Sequence, residues 1–209
     1  MNKATKSLKS IVYQELLDGI IRGEYQANQI INEQELVEKF GFSKSPVREG
    51  LIALCNEGVL RNIPRYGYEV VRLTSRDVSE ILRFRFILEG GLLRDSYENI
   101  TSWQLDELYR LDDLCNASVD DMWVHWDHNM NFHLKLLSCS GNVYASQQLK
   151  RSMDILKRAY AQFYWNKWDA QYNPVDMRYH RDILDRIKSK DIDGALEMLH
   201  LDLADFRSM

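Results

Sequence analysis

Residues 33–70 read EQELVEKFGFSKSPVREGLIALCNEGVLRNIPRYGYEV. In the first eight, Leu36, Val37 and Phe40 share one helical face, with Asn32 placed to cap the start and Gly41 to stop the end. Only Gly41, Phe42 and Ser43 separate this helix from a second one. That helix has a serine cap, Pro46 in the first turn, and Val47, Leu51, Leu54 and Cys55 facing inward. Two short helices across so tight a turn make a helix-turn-helix. Beyond Gly58, β-branched and aromatic residues flank Pro64-Arg65-Tyr66-Gly67 and predict two short strands around a turn, a wing. Upstream, Leu8, Ile11, Val12, Leu16, Ile20 and Ile21 repeat at helical spacing from Lys6 to Arg22.

Lys44, Ser45 and Arg48 fall at the exposed start of the second of those helices. A recognition helix presents side chains to base edges there, and the helix dipole favours phosphate. Arg61 and Arg65 would add phosphate or minor-groove contacts from the wing. Residues 1–73 carry 10 Lys+Arg and 9 Asp+Glu, net +1, against 17 and 22, net -5, for the remainder of a chain whose total is -4. A near-neutral head can bind double-stranded DNA when its cations share a face.

The run FGFSKSPVREGLIALCNEGVL followed by RYGYEVV resembles the GntR-type winged helix. The usual form there is a small residue, Arg, Ser/Thr and Pro-Val-Arg-Glu-Ala-Leu, then Gly-Leu and a glycine wing. The resemblance implies that Arg48 contacts a base or phosphate, that Ser45 and Gln34 support it, and that Gly67 lets the wing tip enter the minor groove. Lys44 departs from the family's arginine; it can donate to guanine without a two-pronged fork, so the preferred operator differs or is read more weakly at that base.

From Thr74 onward every strong pattern is helical, at about 75–95, 101–117, 119–139, 143–167, 175–189 and 191–207. The expected fold is mainly α: a winged helix-turn-helix over 1–73 and an all-helical antiparallel six-helix bundle over 74–209. Polar residues sit on faces that should be apolar. Arg85 falls within the stripe of Val78, Ile81, Leu82, Leu88 and Leu92, and Asn129 and His133 within that of Met122, Trp126, Met130, Leu136 and Leu137. His180 shares a face with Met177, Ile183, Leu184 and Ile187, and Asp202 one with Ile192, Ala195, Leu199, Leu203 and Phe206. Burying these groups costs several kcal/mol unless they pair, bind a metal or line a wet cavity. Trp103, Trp123, Trp126, Trp165, Trp168, Tyr160 and Tyr164 are read as core or interface aromatics.

The helix order resembles the FadR-type (FCD) ligand domain in its six-helix form. That family often carries an Asp followed four residues later by His, and two more histidines on the last two helices, together holding a divalent metal. Here the run is NMNFH, so Asn129 stands for the aspartate and His133 is kept; His180 matches the third ligand, and the register puts Asp202, not His200, at the fourth. The set Asn129, His133, His180 and Asp202 suits Zn²⁺, Ni²⁺ or Mn²⁺, although asparagine is a poor zinc ligand; a metal-free polar pocket is the alternative. With Arg85, Asn129, His133 and His180 would bind a small carboxylate effector, a class the resemblance implies.

These readings describe a homodimeric regulator, expected to be a repressor of a palindromic operator that ligand relieves. Two rivals stand beside it: a metal-dependent enzyme using His133, His180 and Asp202, and a DNA-binding protein whose bundle is purely structural. Cys55, Cys115 and Cys139 show no paired spacing, and no apolar run is long enough to cross a bilayer, so a cytoplasmic location away from membranes is expected.

Overall fold

The structure is a computed structural model and describes residues 7–118, 120–164 and 178–205. The chain divides into two compact units. The first runs to Thr74 and takes in the end of the seventh helix from Arg158; the second begins at Ser75.

In the first unit, α1 (Leu8–Ile21) is capped by Ser7, whose side chain accepts from Ser10 N at 3.1 Å. Val12, Leu16 and Ile20 of α1 share a buried core with Leu36 of α2 (Glu33–Phe40) and with Val47, Leu51 and Leu54 of α3 (Lys44–Asn56). Asn32 caps α2 by accepting from Gln34 N at 2.8 Å, and Gly41 ends it in the left-handed region at φ 66°. Ser43 occupies the N-cap position of α3 as expected, but its hydroxyl makes no capping bond. The first-turn N–H groups of α3 therefore have no side-chain cap.

The wing is β2 (Leu60–Ile63) paired antiparallel with β3 (Gly67–Val70), with Ile63 opposite Gly67 and Leu60 opposite Val70. A third strand, β1 (Ile30–Ile31), pairs with the other side of β3, giving the order β1-β3-β2. Two residues are too few to display alternation, so the sequence pattern does not reveal β1. Gly67 is required by this third strand: its φ is 130°, and a Cβ there would lie 2.5 Å from Ile31 O.

The turn is closed by Tyr66 N donating to Ile63 O at 3.0 Å, with Pro64 at the second position and Arg65 at the third with φ 72°. A left-handed non-glycine residue costs roughly 1–2 kcal/mol, and glycine there costs part of that back through the unfolded chain. Arg65→Gly is expected to raise the unfolding free energy by about 0.5–1 kcal/mol in denaturant titration. Strain is thus held at the tip that carries the cation.

The second unit consists of α4 (Ser75–Ser96), α5 (Ser102–Ala117), α6 (Met122–Ser138), the first part of α7 (Val143–Tyr164), α8 (Arg178–Lys188) and α9 (Ile192–Asp205). A Thr101–Gln104 capping box starts α5, and Asp121 caps α6, which moves that helix's start from the expected 119 to Met122. Leu108, Phe132, Leu136, Ile183, Leu184, Ile187, Ala195, Leu199 and Leu203 form the main core, and Leu137, Ala145, Leu149 and Met153 a second one.

Phe132 is fully buried and Met122, Trp126 and Met130 only partly, so the buried stripe of α6 is rotated from the expected one towards Phe132. Trp103 is 69% exposed, which corrects a core assignment for it, and Lys135 Nζ sits 5.0 Å from its ring centroid. Trp165, Trp168, Met177, Phe206, Lys6 and the expected helix ends at 165–167, 175–177 and 206–207 lie outside the described residues, as does the side chain of Tyr164. No helix is long and apolar enough to cross a membrane among the described residues.

The late part of α7 is fastened to the backbone of the first unit. Arg158 NH1 donates to Gly58 O at 3.1 Å, Gln162 Nε2 donates to Val71 O at 2.9 Å, and Leu73 N donates to Gln162 Oε1 at 2.9 Å. Two side chains four residues apart on one helix face thereby satisfy backbone groups at the end of the wing.

Candidate functional sites: a cationic helix start and a buried ionic cluster

Lys44, Ser45 and Arg48 are exposed at the start of α3, as are Gln34 on α2 and Arg65 on the wing turn. Arg48 is not loose: its Nε and NH2 donate to the two carboxylate oxygens of Glu33 at 3.0 and 2.8 Å. This two-pronged hydrogen bond is the main reason the guanidinium's affinity for its proton rises further. The pair fixes the Arg48 side chain at the junction of α2 and α3 while 59% of it stays exposed. Ser45 Oγ donates to Glu49 Oε1 at 3.0 Å and Gln34 Nε2 to Glu38 Oε1 at 3.2 Å, so both supporting residues are engaged on their own helices rather than with Arg48. Arg61 pairs with Glu69 across the wing, its Nε donating at 2.9 Å, and Tyr66 at the turn is 73% exposed.

Within the second unit, Arg85, Glu89, Asp112, His133, His180 and Asp202 are all buried, none more than 4% exposed. Arg85 Nε donates to Glu89 Oε1 at 2.8 Å, one helical turn along α4. The other oxygen, Glu89 Oε2, lies 2.8 Å from His133 Nδ1, and His133 Nε2 lies 3.2 Å from Asp202 Oδ2. Asp202 Oδ1 is 3.5 Å from His180 Nε2, and His180 Nδ1 is 3.9 Å from Asp112 Oδ1, whose partner oxygen meets Arg181 Nε at 2.9 Å. The ring of His180 stacks on Phe132, centroids 3.8 Å apart and planes 14° apart. One ligand atom each from His133, His180 and Asp202 lies within 4.8 Å of the others.

The expected inward residues are therefore together: Arg85, His133, His180 and Asp202 join one network. Asn129 is buried on α6 one turn before His133, and His200 is exposed, as its register implies. Glu89 and Asp112 were missed. Glu89 shares the α4 face of Arg85, and Asp112 that of Leu108 and Cys115 on α5, so the helical period could have found both.

Burial acts to raise the Glu89 carboxyl, but Arg85 and then His133 outweigh it and hold it at about 2. Burial acts to discharge His133, yet Glu89 overcomes it, helped by Asp202, and the imidazole is pushed up to about 9. Burial also raises the Asp112 carboxyl, against the pull of Arg181.

These shifts set the sign of the stability profile. Stability from His133 is full below its ordinary 6.5 and lost as pH rises through about 9; that from Glu89 is full above 4.5 and lost as pH falls towards about 2. The denaturation midpoint of metal-free protein is therefore expected to be highest near pH 5–6.5, with the alkaline decline flattened in His133→Gln.

The chain matches two family models: bacterial regulatory proteins of the gntR family over residues 8–70, and the FCD domain over residues 80–205. It is similar to the uncharacterised HTH-type transcriptional regulator YdhC of Bacillus subtilis, 28% identical over 88% of this chain and 82% of that one. The HTH-type transcriptional repressor NanR of Citrobacter rodentium is 26% identical over 92% and 81%. A solved structure of E. coli McbR/YncC shares the fold, with a TM-score of 0.77 at 21% identity over 98% and 97%. These relatives are regulators, which sets the metal-enzyme alternative aside. The chain belongs to the GntR family of DNA-binding transcriptional regulators, with an FCD effector-binding domain following its winged helix-turn-helix.

Proposed function

We propose that the protein is a homodimeric, FadR-type repressor that releases a palindromic operator when a small carboxylate, such as a sugar acid or hydroxy acid, binds among Arg85, Asn129, His133 and His180. The observation that carries the effector reading is Arg85 NH2, which is buried and has no hydrogen-bond acceptor among the described residues. An unmet guanidinium donor in the interior is costly unless a ligand supplies the acceptor. With Nε already donated to Glu89, a carboxylate oxygen would supply the acceptor that NH2 lacks. On the DNA side Lys44 and Arg48 read the operator, with Ser45 and Gln34 beside them. Arg65 and Gly67 bring the wing to the minor groove, and the uncapped N–H groups of α3 face phosphate.

His133, His180 and Asp202 would hold a divalent cation, Zn²⁺, Ni²⁺ or Mn²⁺, with Asn129 as a weak fourth ligand. The donor types suit such an ion. Bonds of about 2.0–2.2 Å in a tetrahedral site put neighbouring ligand atoms roughly 3.4 Å apart. His133 Nε2 lies 3.2 Å from Asp202 Oδ2 and His180 Nε2 3.5 Å from Asp202 Oδ1. One ligand atom from each residue lies within 4.8 Å of the others, so the three side chains would draw inward around an ion. Asp202 Oδ1 is buried and accepts no hydrogen bond among the described residues, which leaves a lone pair for a cation. Such an ion would supply a positive charge against which an effector carboxylate could bind.

A thermal-shift screen of small carboxylates tests this reading, because a ligand raises the midpoint only by preferring the folded state. At 100 times its dissociation constant a ligand adds about 2.7 kcal/mol. A hit is expected to lower operator affinity and to lose its effect in the charge-balanced Arg85→Met/Glu89→Gln variant. A hit that survives that change would place the anchor elsewhere, and a screen with no hit would favour a structural bundle.

A further inference from the structure

Each imidazole of the buried cluster has a carboxylate behind it. His133 Nδ1 faces Glu89 Oε2 at 2.8 Å and His180 Nδ1 faces Asp112 Oδ1 at 3.9 Å, while both Nε2 atoms turn to Asp202. We propose that Glu89 and Asp112 are positioning residues for the cation site, Glu89 by accepting the Nδ1 proton of His133 and Asp112 by its charge near His180 Nδ1, so that both Nε2 lone pairs converge beside Asp202. The inference rests on the metal reading above and adds two residues to it.

The chemistry follows from the two ring nitrogens. A metal-bound histidine is oriented by the acceptor its other nitrogen donates to, and a carboxylate acceptor also increases the ring's basicity towards the ion. Glu89 is suited to this because it is fixed from its far side: Arg85 Nε holds Oε1 at 2.8 Å, leaving Oε2 for His133. Asp112 is placed more loosely: Oδ2 pairs with Arg181 Nε at 2.9 Å, while Oδ1 accepts from Asn116 Nδ2 at 3.3 Å and lies 3.9 Å from His180 Nδ1, an electrostatic rather than a hydrogen-bonding distance. Its longer approach makes it the weaker of the two. The stack of Phe132 against His180 supplies the ring orientation that the 3.9 Å contact alone would leave loose. Glu89, Asp112, His133, His180 and Asp202 come from five helices of the second unit, α4, α5, α6, α8 and α9, so the arrangement is assembled by packing.

The test is a Co²⁺ titration of the full-length, metal-stripped protein, followed by visible absorption. Glu89→Gln keeps an acceptor of the same size without the charge. It is expected to weaken Co²⁺ roughly 10- to 100-fold and to shift the d–d band, with Asp112→Asn weakening it less. Should Glu89→Gln fail to fold, Arg85→Met/Glu89→Gln, which keeps the site's charge balanced, takes its place with the same expectation. Unchanged affinity in a folded variant would overturn the positioning role while leaving the cation site standing. Weaker binding with an unmoved band would reduce Glu89 to a structural part and also overturn it. No saturable spectrum with the unaltered protein would remove the cation site and this inference together.

Discussion

Arg48→Ala is expected to weaken operator binding by about 10- to 100-fold and to lower the slope of log affinity against log salt by about 1. The residue is exposed near the start of α3 and is held there by both oxygens of Glu33, so its guanidinium is ordered before any DNA arrives. Little side-chain entropy remains to be lost on binding. The cost of forming the complex is that Glu33 must share its partner or yield it to phosphate or guanine. Fluorescence anisotropy at several salt concentrations, on a duplex selected from random sequence, measures both quantities. If affinity and slope both stayed unchanged, the DNA face would have to lie elsewhere on the head. Lys44 would be left as the cation of α3's first turn, and a single ammonium lacks the fork needed to read guanine twice.

Arg85→Ala is expected to lower the unfolding free energy by about 3–5 kcal/mol, a large share of what a domain of this size has. The change removes the strongest partner of Glu89, leaving a carboxylate charge in a place nearly closed to water. His133 cannot replace Arg85, since it already spans Glu89 and Asp202. Arg85→Met/Glu89→Gln should recover more than half of the loss, because the remaining amide still accepts from His133 and no unpaired charge is buried. Urea denaturation at pH 6 compares the three proteins. A loss below about 1 kcal/mol for Arg85→Ala would mean that water reaches the cluster and screens it.

The contrast between the two sites shows where reading a sequence succeeds. In the head, Asn32, Gly41 and the Pro64-Arg65 turn act over two to four residues, so their consequences follow from local geometry. In the helical unit, the 100° step per residue turned Arg85, His133, His180 and Asp202 inward while leaving His200 outside. The same step was available for Glu89 and Asp112. An acidic residue beside an inward arginine reads as surface until its partner's position is known.

What the amino-acid order determined on its own was the helix-turn-helix with its Asn32 and Gly41 ends, the wing turn, and the inward facing of Arg85, Asn129, His133, His180 and Asp202. Only the tertiary structure decided which inward groups meet: that Glu89 bridges Arg85 and His133, that Asp112 stands behind His180, and that Glu33 grips Arg48. It likewise decided that Ile30–Ile31 joins the wing and that the end of α7 is fastened to Gly58, Val71 and Leu73. The reason is that a helical period orients a side chain about its own axis. The distance to a group many residues away is set by how the helices pack, which no local spacing encodes.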